Sequence, residues 1–320
     1  MRALVWHGGR KLAMEEQPDP EPAPGEVVLD VGLAGICGSD LHPFKGHHGP
    51  RRPPLVLGHE VVGTVADLPG RWSVFPLSVC GECRHCLAGR ENLCVSRQLL
   101  GLNRPGVFAD RVAVPRDALL EVPDGLSDDL AALVEPLAVC VAALAPAELG
   151  PESRVLVIGC GPIGLLSVHL AARRGADVVA VEPVDARREW ASRLGATQTL
   201  GTAQEAVGLD ADLAVDAVGA ESTWRSAIAG TRAGGEIVVV GLAQAEGGMP
   251  VADLVRRSIR LRGQFAYTRA EFAEALGLLA ADRLPAEWLE VMPLAEGPAA
   301  FSRLADAPDG TAKILLKPGA

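Results

Sequence analysis

The stretch from Val155 to Gly164 reads Val155-Leu-Val-Ile158-Gly159-Cys160-Gly161-Pro162-Ile163-Gly164, and it decides the fold of the second half of the chain. Four apolar residues followed by glycine predict a buried β-strand that ends in a tight turn. Pro162 at a first helical position, with the apolar residues that follow it, predicts a helix directly after the turn. Further downstream, short apolar strands alternate with alanine-rich helices, which predicts an α/β fold with a parallel, doubly wound sheet.

The glycine-rich turn fits the pattern G-x-G-x-x-G, which binds the pyrophosphate of a dinucleotide when it joins a strand to a helix. Gly159 would make the turn, Gly161 would admit the phosphates, and Gly164 would let the helix pack closely on the strand. The helix N-terminus adds free N–H groups for the phosphates. The alternative is a glycine turn in an α/β domain without a ligand.

Glu182 ends the next predicted strand and would accept hydrogen bonds from the ribose hydroxyls. A carboxylate there would repel a 2′-phosphate, which favours NAD over NADP, although Arg187 or Arg188 could reach that phosphate. The remaining candidate cofactor-binding residues are Pro162, Ile163, Arg187, Val218 and Gly241.

Four of the seven cysteines lie close together in the pattern C-x2-C-x2-C-x7-C. Four thiolates at this density can close a tetrahedron around zinc and leave no open position, which is typical of a structural site. The nearest alternatives are an iron–sulfur cluster, which also uses four thiolates, and a redox dithiol, which needs only two. The predicted zinc ligands are Cys80, Cys83, Cys86 and Cys94.

Polar groups in three other segments suggest a second metal site with an open position. A catalytic zinc needs about three protein ligands and one exchangeable position. Cys37, His59 and a carboxylate, either Glu60 or Glu135, would supply that set. Each residue alone has an ordinary structural explanation, but together with a dinucleotide fold they favour a catalytic zinc.

These motifs together resemble those of the zinc-dependent medium-chain alcohol dehydrogenases, most closely the branch of polyol (sorbitol) and threonine dehydrogenases. The resemblance rests on Cys37-Gly-Ser-Asp40, Gly58-His-Glu60, the four cysteines, Glu135-Pro-Leu-Ala-Val139 and the glycine turn. It implies a GroES-like, β-rich catalytic domain over residues 1–136, with a zinc-binding lobe at about 76–100. It further implies a Rossmann cofactor-binding domain over 137–264 and a C-terminal segment, 265–320, that returns to the catalytic domain.

The resemblance also implies metal ligands. Cys37 and His59 would bind the catalytic zinc, with Glu60 as a third ligand or as one that joins during turnover. Glu135 would bind the same zinc directly or through water. The implied cofactors are two zinc ions per chain, one catalytic and one structural, together with NAD.

The resemblance assigns the proton transfer as well. Ser39 would take the proton of the substrate alcohol, His42 would relay it to solvent, and Asp40 would orient His59. The implied reaction is reversible hydride transfer between NAD and a secondary alcohol of a polyol, sugar or aminocyclitol. The alternatives are a threonine-type or simple alcohol dehydrogenase and, in another class, a non-catalytic NAD-binding zinc protein.

Two loops add further expectations. The basic segment from His42 to Pro54 would border the pocket and suit a hydroxyl-rich, carboxylated or phosphorylated substrate, or it would simply be solvated. The segment after Val65 is shorter than in most relatives by roughly ten residues, which leaves the metal ligands intact but changes the surface. The resemblance to this family also implies that the protein forms a homodimer or a homotetramer.

Composition excludes several other classes. The 320 residues suffice for about two domains, and 48% of them are apolar. The formal charge of −10 argues against nucleic acid as a partner. The least polar stretch is too short to cross a membrane, and the first twelve residues lack the apolar core of a secretory signal. We therefore expect a soluble, cytoplasmic protein with reduced thiols.

Overall fold

A computed structural model describes residues 1–46, 49–282, 284–306 and 310–319. The strands of this described part are β1 (Arg2–Trp6), β2 (Leu12–Glu16), β3 (Glu26–Gly35), β4 (Leu55–Val56), β5 (Glu60–Val65), β6 (Leu68–Val74), β7 (Leu77–Ser78), β8 (Gln98–Leu99), β9 (Arg111–Pro115), β10 (Leu119–Val122), β11 (Arg154–Ile158), β12 (Asp177–Val181), β13 (Gln198–Leu200), β14 (Ala211–Asp216), β15 (Thr231–Val239), β16 (Arg260–Gly263), β17 (Leu289–Pro293) and β18 (Lys313–Lys317). The α-helices are α1 (Gly38–Phe44), α2 (Arg84–Leu87), α3 (Asp128–Ala131), α4 (Val134–Leu144), α5 (Pro162–Arg173), α6 (Asp185–Arg193), α7 (Glu221–Gly230), α8 (Val251–Arg256), α9 (Arg269–Ala281) and α10 (Gly297–Asp306).

The chain divides into two compact units. Unit 1 comprises Met1–Ala138 and Thr268–Ala320, and unit 2 comprises Val139–Tyr267. The first division falls inside α4.

Unit 2 is built on a six-stranded sheet in which every pairing is parallel. The strand order is β13-β12-β11-β14-β15-β16, so that the order reverses between β11 and β14. Numbered within the unit this is 3-2-1-4-5-6, the order of a Rossmann fold. The central strands β11 and β12 are buried at four of their five residues, as expected of strands covered on both faces. The predicted doubly wound sheet is confirmed.

Unit 1 is β-rich. A seven-stranded sheet runs in the order β10-β6-β5-β3-β18-β17, with β9 also paired to β3. The C-terminal strand β18 pairs antiparallel with β3, which itself pairs antiparallel with β5. Phe44, Phe108 and Phe301 pack edge to face in the core beside this sheet.

The shortened segment after Val65 forms a tight hairpin. Val65 on β5 pairs with Leu68 on β6, so that only Ala66 and Asp67 make the turn. Among the described residues, no helix is both long enough and apolar enough to cross a membrane.

Candidate active site

The short helix α1 positions Cys37. Cys37 is the N-cap of this helix: its Sγ accepts a hydrogen bond from the Ser39 N–H at 3.5 Å, and its own N–H donates to Asp40 Oδ2 at 3.2 Å. These cap contacts fix the position of the Cys37 sulfur at the start of the helix.

Three ligand types meet beside this cap. One ligand atom each from Cys37, His59 and Glu60 lies within 4.8 Å of the other two. His59 precedes β5 and Glu60 is its first residue, and both are buried. His59 Nδ1 and Glu60 Oε1 have no hydrogen-bond partner among the described residues, although burying such atoms unpaired is costly. Sulfur, imidazole and carboxylate donors fit zinc, and the unpaired atoms fit a site that binds a cation.

His59 lies among acidic groups. Burial alone would lower the pKa of His59, but the charges of Asp40, Cys37 and Glu135 outweigh burial and raise it to about 10. Asp40 Oδ1 lies 3.8 Å from His59 Nδ1, which is an ion-pair distance rather than a hydrogen bond. Glu135, in the first turn of α4, is 8% exposed and lies outside the three-residue ligand group. It is close enough, however, for its charge to act on His59.

A buried lysine, which the sequence reasoning missed, accompanies Glu60. Lys313 Nζ forms an ion pair with Glu60 Oε2 and donates to the Ile36 carbonyl at 3.0 Å. The lysine and glutamate side chains are 1% and 0% exposed. Gly35 on β3 leaves room for this pair, since a Cβ at that position would lie 2.0 Å from Glu60 Oε2. The one sequence feature that could have indicated this buried pair is the position of the lysine directly before the apolar run Ile314-Leu-Leu316.

The residues assigned to proton transfer lie on the same helix. Ser39 is in the first turn of α1 and His42 in its last turn, and both are partly exposed. From the basic segment that follows, Arg51 points inward: its Nη2 lies 3.4 Å from Ser39 Oγ and 3.3 Å from Asp40 Oδ1. Arg52 is exposed and donates to backbone carbonyls. His47 and His48, also expected to border the pocket, lie outside the described residues.

The zinc-binding lobe brings its four cysteines together. One sulfur of each lies within 4.8 Å of the others, with Cys94–Cys80 at 3.5 Å and Cys83–Cys86 at 3.6 Å. All four thiols are free. The Cys86 N–H, which bonds to the Cys83 sulfur, contributes most to lowering the pKa of Cys83 to about 6, whereas desolvation raises the pKa of Cys86 to about 12. Four converging sulfurs, with no further ligand among the residues that the structure describes, fit a closed tetrahedral zinc site.

In unit 2 the glycine turn lies at the carboxyl end of β11. Gly159 has a φ of +89°, in the region where glycine is favoured, and a Cβ on Gly164 would lie 1.7 Å from the Gly159 oxygen. Gly161 is the N-cap of α5, with Pro162 and Ile163 as the first helical residues. This is the strand–turn–helix context that the motif requires.

Glu182 supports the glycine turn directly. Its Oε2 accepts the Cys160 N–H at 2.8 Å, and its Oε1 accepts the Val184 N–H at 3.0 Å. The guanidinium of Arg188 contacts the Glu182 carbonyl at 2.6 Å and also pairs with Asp185. The guanidinium of Arg188 is therefore already bonded to oxygen atoms of the protein.

The other cofactor candidates border the same turn. Burial raises the pKa of Cys160 to about 12, with the charge of Arg187 among the opposing influences, which places Arg187 near the turn. A Cβ on Gly159 would lie 2.5 Å from the Val218 side chain, and one on Gly241 would lie 2.1 Å from the Val218 backbone. Asp216 fixes this second loop, since it accepts N–H bonds from Val218 at 2.9 Å and from Gly219 at 3.0 Å.

Comparison with known families accounts for both units. Residues 23–124 match the model of the alcohol dehydrogenase GroES-like domain, and residues 162–281 match that of the zinc-binding dehydrogenase. A sorbitol dehydrogenase of Halalkalibacterium halodurans is 31% identical over 313 residues, which cover 90% of this chain and 91% of that protein. The chain belongs to the zinc-binding dehydrogenase family.

Solved structures of similar proteins extend the match over nearly the whole length of the dehydrogenase. A Sinorhizobium meliloti protein described as a zinc-binding dehydrogenase and solved with NADP has a TM-score of 0.90 and 31% identity, with 99% of each chain covered. Acetophenone reductase of Geotrichum candidum, solved with NAD, has a TM-score of 0.91 and 27% identity, with 99% of this chain and 96% of that chain covered. The predicted family, the GroES-like and Rossmann architecture, the oxidoreductase class and the dependence on zinc and a nicotinamide cofactor are confirmed.

Proposed function

We propose that this dehydrogenase oxidises a secondary alcohol of a polyol, sugar or aminocyclitol to a ketone, reversibly, with NAD as the hydride acceptor. The observation that carries the proposal is the ligand group of Cys37, His59 and Glu60, with two unpaired buried atoms and Ser39 on the adjoining helix. The sorbitol dehydrogenase relative supports a polyol as the substrate class.

Cys37, His59 and Glu60 would hold the catalytic zinc, with Glu135 as a ligand through water or in exchange with Glu60. When bound, zinc supplies a Lewis acid that lowers the pKa of the substrate hydroxyl, and NAD supplies the hydride acceptor. Ser39 accepts the hydroxyl proton and His42 passes a proton to solvent, which its partial exposure allows. The four cysteines of the lobe would hold the structural zinc.

NAD is the proposed cofactor rather than NADP. Glu182 is buried and presents a carboxylate at the end of β12, where a 2′-phosphate would be repelled. Arg188 is bonded to the Glu182 carbonyl and to Asp185, which leaves it less able to bind a phosphate. The NADP-bound relative makes this a point to test directly.

The decisive experiment is a steady-state assay of NADH formation with a panel of polyols, sugars, aminocyclitols, L-threonine and simple secondary alcohols. We expect turnover with a polyol-type alcohol. Cys37→Ser should abolish it and remove one of two zinc ions, with the fold retained. Cys140→Ser is the matched control, because Cys140 is a buried thiol bonded to the Ile163 carbonyl, and it should keep both metals and full activity. Turnover of L-threonine or a simple alcohol alone would reassign the substrate, and no turnover at all would refute the proposal.

We further propose that the protein acts in the cytoplasm as a homodimer or homotetramer; the compartment rests on the seven cysteines, which are all free thiols, and the assembly rests on family resemblance. Size-exclusion chromatography with light scattering tests the assembly. A monomer at micromolar concentration would contradict it.

A further inference from the structure

Arg51 is a buried arginine whose donors are directed at the proton-transfer helix. Its side chain is only 9% exposed. Nε donates to the Gly101 carbonyl at 2.8 Å and Nη1 to the Ser39 carbonyl at 3.0 Å. These two bonds fix the plane of the guanidinium, which brings Nη2 to Ser39 Oγ at 3.4 Å and to Asp40 Oδ1 at 3.3 Å. Because its N–H groups are directed at oxygen atoms of the protein, Arg51 is not a binding group for an anionic substrate.

The contact with Ser39 Oγ constrains the direction of its hydrogen bonds. A serine hydroxyl has one proton to donate and two lone pairs to accept with, whereas a guanidinium only donates. Arg51 therefore occupies one lone pair of Oγ. The other lone pair is left to accept the proton of a substrate alcohol, and the serine proton is left to be donated onward.

We infer that Arg51 is a positioning residue for proton transfer, which holds Ser39 Oγ ready to accept from the substrate and to donate toward His42. This inference rests on the proposed function. In the oxidation, the substrate O–H proton passes to Ser39 Oγ while Ser39 gives its own proton to His42. NAD, when bound, would accept the carbinol hydride with its electron pair. The guanidinium itself gains and loses nothing.

The test is a double-mutant cycle between Arg51→Met and Ser39→Ala. If Arg51 acts through Ser39, Arg51→Met alone should lower kcat about tenfold with little change in KM. The double variant should then be no slower than Ser39→Ala, because coupled residues are not additive. Arg52→Met is the matched control, since Arg52 is exposed and contacts backbone carbonyls, and it should leave kcat unchanged.

A second readout separates Ser39 from the other partner of Arg51. Asp40 lies near His59, so that an effect through Asp40 would alter the metal site. With cobalt in place of zinc, the visible spectrum of Arg51→Met should match that of the unmodified protein. A shifted spectrum, an unchanged kcat, or losses that add in the double variant would each overturn the inference. If Arg51→Met does not fold, Arg51→Lys enters the same cycle, because it keeps the charge but loses the planar fork. Normal turnover by Ser39→Ala would instead refute the proton path of the proposed function.

Discussion

The buried pair of Lys313 and Glu60 gives the sharpest prediction for stability. Lys313→Met keeps the length and apolar stem of the side chain but removes the cation beside Glu60 Oε2. The Glu60 carboxylate would then be fully buried without this partner, and its Oε1 already has no partner in the described part of the chain. Removing one partner of a buried ion pair costs about 3–5 kcal/mol.

Neighbouring groups decide where in that range the loss falls. His59 lies in the same ligand group, and because its pKa is raised to about 10 it carries a positive charge at neutral pH in the zinc-free protein. That charge offsets part of the loss, so that we expect about 3 kcal/mol for the zinc-free protein. A zinc ion bound at Glu60 would replace the missing cation, so the loss should be smaller in the zinc-loaded protein.

The measurement is urea unfolding of zinc-free and zinc-loaded protein, followed by a probe in unit 1. Lys317→Met is the matched control on the same strand, because Lys317 is exposed at the end of β18, and it should change the free energy of unfolding by at most about 0.5 kcal/mol. A Lys313→Met, Glu60→Gln double variant should be less destabilised than Lys313→Met alone. The reasoning fails if Lys313→Met and Lys317→Met are equally stable, or if zinc does not reduce the difference.

Four further outcomes are expected. Fluorescence titration should show that NADH binds more tightly than NADPH, and Glu182→Ala should reduce the difference between the two affinities. Tighter binding of NADPH by the unmodified protein would contradict the proposed preference for NAD. Glu135→Ala should lower kcat by at least about tenfold and weaken retention of one zinc, as elemental analysis would show, and normal turnover with both metals would make it a structural residue. The pKa of His59 is higher in the folded protein than in the unfolded chain, so the stability that protonated His59 adds to the zinc-free protein should be complete below about pH 6.5 and lost as the pH rises toward 10. Zinc affinity, measured by chelator competition, should rise between these two pH values because the proton on His59 competes with the metal. In zinc-free protein at neutral pH, iodoacetamide should alkylate Cys83 before the other lobe cysteines, and equal rates by peptide mapping would contradict its lowered pKa.

What the sequence predicts well here is whatever depends on neighbours along the chain. The apolar run of β11, the glycine turn and the start of α5 are continuous in sequence, and their physical requirements can be read residue by residue. The cysteine lobe is also local, since its four ligands span a short segment. These features follow from spacing because the chain connecting the residues is too short to separate them.

The residues that the sequence reasoning missed act across long separations. Lys313 lies 253 positions after Glu60, and only the β18–β3–β5 pairing brings them together. Arg51 was expected in a basic loop facing substrate or solvent. Its shortest hydrogen bond, at 2.8 Å, is to the carbonyl of Gly101, 50 positions away, and that bond helps to hold the side chain inward. The direction of a long side chain depends on such distant partners, and no local pattern specifies it.

Lys313 and Arg51 are the cations that pair with carboxylates in the candidate active site. Four groups there can carry negative charge: Cys37, Asp40, Glu60 and Glu135. Lys313 pairs with Glu60 and Arg51 pairs with Asp40, so that each of these two carboxylates has a cation beside it. The charges of Asp40, Cys37 and Glu135 raise the pKa of His59 to about 10, so that the metal-free protein holds a proton on His59, and a divalent cation bound beside these groups would displace that proton. Removing Lys313, the cation beside Glu60, should therefore strengthen zinc binding, whereas Arg51→Met should slow proton transfer and leave the metal site unchanged.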